Sequence, residues 1–416
     1  MTEVLQVQNN FAHNIIDKNV FHTYDHVLSK YVVYKLFYLH SIFNIIKNLK
    51  YIGHHNLDFL IPKKINYSEF EKNIMLCHNF LVFDKFQFIY NYCHFRECVN
   101  KYHDNFSINY AVKCLADEEL IKLLIKIDGH FDCASLNEIN MVIKNGGNID
   151  NIIFANPMKP KKTILEAYKL NINYTTFDSI DEFYKLYQYS PNINLILRIH
   201  VDSIAKINLS NKFGMDICDI IDLLNTKHQH LQKIKGIAFH VGSDNSKSLG
   251  YLMAIKKTFK IIKLFQENNI EIKIIDLGGG FPFINYKGII DSIFEVYGSK
   301  LKNYKLIFEP GRAICSSVVS YIPDIFEKNN KYYIDNEILY SYFKDSILAD
   351  RTFYYNSLNI KNNFSIHDSN GIEINTKPII RNFPNYIKSK NIIFENFGAY
   401  TLSLAPNNIN CYKIYI

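Results

Sequence analysis

Residues 109–135 read NYAVKCLADEELIKLLIKIDGHFDCAS. An apolar run, Asn109–Cys114, leads into an amphipathic stretch, Asp117–Ile127, and then into a second apolar run, Phe131–Ser135. Short apolar runs bounded by turn residues predict buried strands. Apolar residues recurring every three to four positions predict a helix facing them. The same unit recurs along the chain. Further runs at Ile152–Ala155, Tyr174–Phe177, Leu195–Val201, Gly236–Val241, Ile272–Leu277 and Lys305–Phe308 alternate with helical patterns such as Leu136–Asn145, Lys161–Leu170 and Leu249–Asn268. About eight strand–helix units over roughly 230 residues predict a closed parallel barrel or a doubly wound sheet, and the length suits an (α/β)8 barrel.

After Cys315 the rhythm changes. Short alternating segments at Tyr332–Asp335, Ile392–Phe394 and Tyr412–Ile416 predict strands of an antiparallel sheet, hence a second, all-β domain. Helix-like spacing at Val32–Ile46 carries no chemistry that can be assigned. The expected domains are an N-terminal extension over 1–79 that could add a strand to the β-domain, a barrel over 80–315 and a β-domain over 316–416. The 416 residues are 48% hydrophobic and 21% charged, a globular composition that argues against disorder. The net charge of +7 is spread along the chain without a dense Lys/Arg stripe, which argues against a nucleic-acid partner. No apolar run reaches the length of about 18 residues that a membrane helix needs, and the start lacks the order of a signal peptide. Eight cysteines without a CxxC pair read as reduced thiols of a cytoplasmic chain.

Four signals fall at the C-terminal ends of expected strands, where a barrel carries its chemistry. Lys113 follows the run Tyr110-Ala-Val; a lysine partly desolvated at a barrel mouth can form a Schiff base. Asp276-Leu-Gly-Gly-Gly280-Phe-Pro282 follows another run; consecutive glycines let backbone N–H groups approach a phosphate, although they also serve simple tight turns. In Phe308-Glu-Pro-Gly-Arg312 a carboxylate and a guanidinium close a third strand, able to hold a pyridine nitrogen protonated and to pair with a phosphate. In Phe239-His-Val-Gly-Ser243 a histidine could stack on a flat ring and a serine could bond a phosphate. Taken singly, a surface lysine, a mouth salt bridge or a core histidine would explain each.

Together, in order, and with Phe131-Asp-Cys-Ala-Ser135, Ile153–Pro157 with Lys159, Leu197-Arg-Ile199, Lys212-Phe-Gly214 and Phe394-Glu-Asn-Phe-Gly-Ala-Tyr-Thr401, they resemble the ornithine decarboxylases among the fold-type III pyridoxal-phosphate enzymes. The resemblance implies an (α/β)8 barrel beside a β-sandwich-like domain, pyridoxal 5'-phosphate as cofactor, no metal, and a homodimer with shared active sites. It implies conversion of ornithine or a similar basic amino acid to a diamine such as putrescine. By motif, Lys113 would be the Schiff-base lysine, Glu309 the partner of the pyridine nitrogen and His240 the ring-stacking residue. Ser243, Gly278, Gly279, Gly280, Gly311, Arg312 and Tyr400 would surround the phosphate. Asp132, Glu138 and Arg198 would support ring and lysine, and Gly398 would lie near the dimer interface.

The substrate side departs from the pattern. Relatives carry a Cys-Asp pair in the β-domain, one for protonation and one for the distal amine. One alignment puts His367 and Asp368 there; an ungapped one puts Gly371 and Ile372. Asp350 takes the position of a second substrate aspartate, and Asn408 replaces a pocket phenylalanine. Two readings follow: an active decarboxylase with His367 as acid, or a non-catalytic relative that, like antizyme inhibitors, binds a regulatory protein.

Overall fold

The computed structural model describes residues 79–205, 213–323, 325–328, 331–334, 366–368, 373–374, 394, 396–404 and 411–415. The expected helix around Val32–Ile46 and the positions Lys212, Asp350, Gly371, Ile372 and Asn408 lie outside them. Two compact units emerge: His94–Ile314, and the described residues up to Cys93 together with those from Cys315 on.

In chain order β1 (Phe80–Phe83) and α1 (Lys85–Asn100) come first. Then follow β2 (Phe106–Ala111), α2 (Glu118–Ile125), β3 (His130–Cys133), α3 (Leu136–Lys144), β4 (Ile152–Phe154), α4 (Lys161–Lys169), β5 (Tyr174–Phe177) and α5 (Ile180–Tyr189). The alternation continues with β6 (Asn194–Arg198), α6 (Ile217–Asn225), β7 (Ile234–Ala238), α7 (Ser248–Glu267), β8 (Ile274–Asp276), α8 (Tyr286–Leu301) and β9 (Lys305–Phe308). Strands β2 to β9 pair in parallel, each with the next, and β2 meets β9 in the register Phe106↔Leu306 to Ile108↔Phe308. That last pairing makes the sheet a closed barrel and decides between the two architectures the strand–helix rhythm allows.

Local sequence explains the turns from strand to helix. Asp117 accepts from the N–H groups of Glu119 and Leu120, Ser135 from Glu138 and Ser179 from Glu182, capping α2, α3 and α5. Each cap is worth about 1 kcal/mol. Ile153, Ile196, Ala238, Ile274 and Ile307 form one buried cluster across β4, β6, β7, β8 and β9.

Lys159 is a second fastener. Its side chain is 1% exposed and its ammonium lies 2.9 Å from Glu182, itself 2% exposed. It also donates to the carbonyls of Asn156 at 2.7 Å and Thr176 at 2.8 Å. The loop after β4 is thereby tied to β5 and to the first turn of α5. Burial pushes the Lys159 amine down to about 8, against the pull of Glu182.

Past β9 come α9 (Arg312–Cys315), β10 (Val319–Ile322), β11 (Ile325–Lys328), β12 (Lys331–Ile334), β13 (Ile366–Asp368), β14 (Glu373–Ile374) and β15 (Tyr412–Tyr415). They form two sheets with β1, in the orders β10-β1-β15 and β11-β12-β13-β14. The expected antiparallel sheet is in fact mixed: β1 runs parallel to β15, and β12 parallel to β13. Strands β11 and β12, close in sequence, pair antiparallel, whereas the parallel pairs join strands far apart in the chain. Strand β1 lies inside the expected barrel segment 80–315 but pairs with β10 and β15, so the barrel strands begin at Phe106. Of the expected strand Ile392–Phe394, only Phe394 is described, in an isolated bridge with Tyr321.

Gly398 lies in the second unit, where its N–H donates to the Ser316 carbonyl at 3.2 Å. A Cβ there would overlap the Cys315 carbonyl oxygen. The glycine is thus required within the chain itself.

Two stability measurements follow from these contacts. Gly398→Ala should cost about 2 kcal/mol in chemical denaturation, because the obstructing atom is backbone and cannot rotate away; an unchanged midpoint would show the 315–319 backbone to be pliable. Lys159→Met should cost about 3 kcal/mol, since it leaves the buried Glu182 with Lys185 as its remaining cation; a loss under about 1 kcal/mol would mean that water reaches this carboxylate.

Candidate active site

Parallel closure gathers the strand ends on one rim. Lys113 stands in the short turn Val112–Cys114 that leaves β2, and Asp132 is in β3, opposite Ala111 in the β2–β3 register. The Lys113 ammonium donates to Asp132 Oδ2 at 2.7 Å; the lysine side chain is 39% exposed and the aspartate fully buried. The lysine thus reaches toward open space while its partner is fixed in the wall. Asp132 Oδ1 and Glu309 Oε1 are buried with no hydrogen-bond partner among the described residues.

Glu309 follows β9, and burial holds its carboxyl well above the ordinary carboxylate range, with Asp132 and Asp276 adding to the shift. Lys113 and Arg198 pull it the other way. Asp276, the last residue of β8, is likewise raised by burial, to about 7, while the Gly278 N–H donates to its Oδ1 at 2.9 Å and opposes the rise. Arg198 ends β6, with its guanidinium 5.0 Å from the ring centre of Phe213.

His240 follows β7. Burial pushes its imidazole down to about 3, helped by the positive charges of Arg198 and Lys113. Its Nδ1 accepts from the Gly242 N–H at 3.1 Å. The neutral ring therefore carries its proton on Nε2, the atom a Cβ on Gly279 would meet at 3.1 Å. Ser243 Oγ accepts from Arg312 Nη2 at 3.3 Å, and Gly311 begins the turn into α9 by accepting from the Ile314 N–H at 3.0 Å. In the glycine run, Gly278 has φ +65° and Gly280 φ +94°. A Cβ on Gly278 would strike the Phe239 carbonyl, and one on Gly280 the Gly242 carbonyl. Among the described residues the N–H groups of Gly279, Gly280 and Phe281 have no acceptor. Successive free amides of this kind form a nest for an anion.

Lys113, Asp132, Arg198, His240, Ser243, Gly278–Gly280, Glu309, Gly311 and Arg312 all lie in this one unit, at or just past strand ends. Glu138 braces the start of α3. Its carboxylate accepts from the Ala134 N–H at 2.7 Å and from Ser135 Oγ at 3.2 Å, while Ser135 caps the Glu138 N–H. Burial raises the Glu138 carboxyl, and the charges of Asp132 and Lys113 reach it. Tyr400, with φ +59°, belongs to the other unit. His367 and Asp368 sit in β13, in register with Tyr333 and Ile334 of β12.

Residue types alone left two participants unnoticed. Asp276 appeared in its motif without a role. Tyr251 had no signal at all, being one more apolar-face residue of α7; its hydroxyl donates to the Gly279 carbonyl at 3.0 Å.

The chemistry of this rim fits pyridoxal phosphate. An amine for the aldehyde, a buried carboxylate oxygen for the ring nitrogen, a neutral imidazole and a nest with an arginine for the phosphate are all present. The family model described as "Pyridoxal-dependent decarboxylase, pyridoxal binding domain" matches residues 92–316. Among curated proteins, the chain is 33% identical over 252 residues to ornithine decarboxylase of Schizosaccharomyces pombe, covering 60% of this chain and 56% of that one. It is 32% identical over 228 residues to antizyme inhibitor 2 of Xenopus laevis, covering 53% and 50%. The matches thus span about half the length of these relatives. Of solved structures, arginine decarboxylase of Paramecium bursaria Chlorella virus shares the fold at a TM-score of 0.70 and 24% identity, over 84% of this chain and all of that one. A lysine/ornithine decarboxylase of Vibrio vulnificus does so at 0.68 and 21%, over 84% and 97%. With its cofactor-binding barrel matched over more than half of the chain, the protein belongs to the pyridoxal-dependent decarboxylase family.

Proposed function

We propose that the chain decarboxylates a basic amino acid, ornithine or a close analogue, to the corresponding diamine, working in the cytoplasm as a homodimer. The observation that carries the proposal is the Lys113–Asp132 pair on the same rim as an unpartnered Glu309 oxygen and the amide nest. Bound pyridoxal phosphate supplies an aldehyde and an electron-accepting ring.

The chain's own groups then have distinct tasks. Lys113 would present its amine to the aldehyde, and Asp132, 2.7 Å from Nζ, would fix its approach. Glu309, with a buried and unpartnered oxygen, would accept from the ring nitrogen and hold a proton there. His240 stacks as a neutral ring. Arg198 shares the acid-rich rim with Glu309 and Asp132 and balances part of its negative charge. Ser243, Arg312, Gly311 and the Gly278–Gly280 run would bind the phosphate, and Tyr400 is assigned to the same group by its motif.

Loss of the carboxylate as CO2 requires one proton to return to the α-carbon. His367 is the assigned donor, because imidazole titrates near neutrality. Asp368 and Asp350 are assigned to the distal amine. A second reading has a specific motive: the family's cysteine is missing in either alignment, which puts His367 or Gly371 at its place, and antizyme inhibitor 2 is among the similar proteins. In that reading the chain binds an antizyme-like regulator without turning over substrate.

CO2 release from ornithine, lysine and arginine with added cofactor separates the two. Release from at least one is expected; none from any, together with binding of an antizyme-like protein, would establish the second reading. Lys113→Ala should abolish both activity and the near-ultraviolet and visible absorbance of stably bound cofactor. Asp350→Ala should raise KM for a diamino acid by at least tenfold with a smaller change in kcat, and an unchanged KM would remove Asp350 from the substrate site. If His367 is the donor, kcat should fall as pH rises above the histidine pKa, and this alkaline limb should vanish in His367→Ala.

A further inference from the structure

The three free amides of the nest belong to three successive peptide units, and each unit is anchored through its carbonyl. The Gly278 carbonyl accepts from the Glu309 N–H at 2.9 Å, and the Gly280 carbonyl from the Asn245 N–H at 2.9 Å. The middle carbonyl, that of Gly279, accepts from the Tyr251 hydroxyl at 3.0 Å. A trans peptide is planar, with C=O and N–H pointing to opposite sides. Fixing a carbonyl therefore aims the next residue's N–H the other way. The two outer units are aimed by backbone; the middle one is aimed by a single side chain.

That middle unit is free to turn over unless its one side-chain anchor holds it. Like the first unit it joins two glycines, and Gly280 at φ +94° would be equally at ease at negative φ after a flip. A flip would present a carbonyl oxygen where the nest presents an N–H. Tyr251 is fully buried, its ring stacks on Phe281 with centroids 4.6 Å apart, and its hydroxyl is locked onto Gly279. Burial keeps that hydroxyl protonated, so it is a permanent donor.

We propose that Tyr251 is a positioning residue that holds the Gly279–Gly280 peptide in the orientation in which its N–H binds the cofactor phosphate. This rests on the reading that the nest receives that phosphate.

The test is an equilibrium titration of cofactor-free protein with pyridoxal phosphate and, separately, with pyridoxal, which has the same ring and aldehyde but no phosphate. Tyr251→Phe keeps the ring and removes the hydroxyl. It should weaken pyridoxal phosphate binding about tenfold, the scale of one lost hydrogen bond, and leave pyridoxal within about twofold. Ile255→Ala, a cavity one turn along the same buried face of α7, serves as the packing control; it should lower the melting temperature and leave the ratio of the two affinities unchanged. Unchanged pyridoxal phosphate affinity in Tyr251→Phe, an equal loss for both ligands, or an equal shift of the ratio in Ile255→Ala would each overturn the proposal. A wild-type protein that binds both ligands equally would overturn the phosphate reading itself, a failure distinct from any outcome at Tyr251.

Discussion

The β2–β9 pairing is the constraint on which the rest of the barrel unit depends. Eight parallel strands in a closed ring must end on one rim, whatever the distance along the chain between them. Lys113 and Glu309 lie nearly 200 positions apart, yet the lysine's charge bears on the protonation of Glu309 because β2 and β9 are neighbours. An open sheet with the same strand order would hold these two residues at opposite edges. The chemistry of the rim is therefore a consequence of ring closure before it is a consequence of any side chain.

Within the ring the rim is held by small polar devices whose partners are backbone. Ser135 and Glu138 brace the start of α3, Lys159 ties the loop after β4 to β5 through carbonyl oxygens, and Asp276 receives the first amide of the glycine run. These bonds set where the chain leaves each strand, and so where Asp132, His240 and the glycine amides point. A site built this way sits on rigid turns with little freedom of its own, which suits a cofactor that must be gripped at three places at once.

The strand–helix alternation was legible because period and turn residues are local. Lys113, His240, the glycine run and Glu309–Arg312 were legible because each follows an apolar run directly. Bonds between distant segments were not. The parallel pairing of β1 with β15 depends on where β15 returns from, and nothing in the alternation of Phe80–Phe83 encodes it. The motif offered Glu138 only as a support near ring and lysine; its bonds to the Ala134 N–H and Ser135 Oγ at the start of α3 needed the fold. Tyr251 resembles the other buried residues of α7, and its hydroxyl acquires meaning only when Gly279 is brought beside it.

The stacked acids of the rim have one more consequence, in the proton inventory of the barrel. Burial raises both Asp276, to about 7, and Glu309 above the ordinary carboxylate range. A cation placed against Glu309 would favour release of its proton, and the heat of loading would then take on the ionisation enthalpy of whatever buffer accepts that proton.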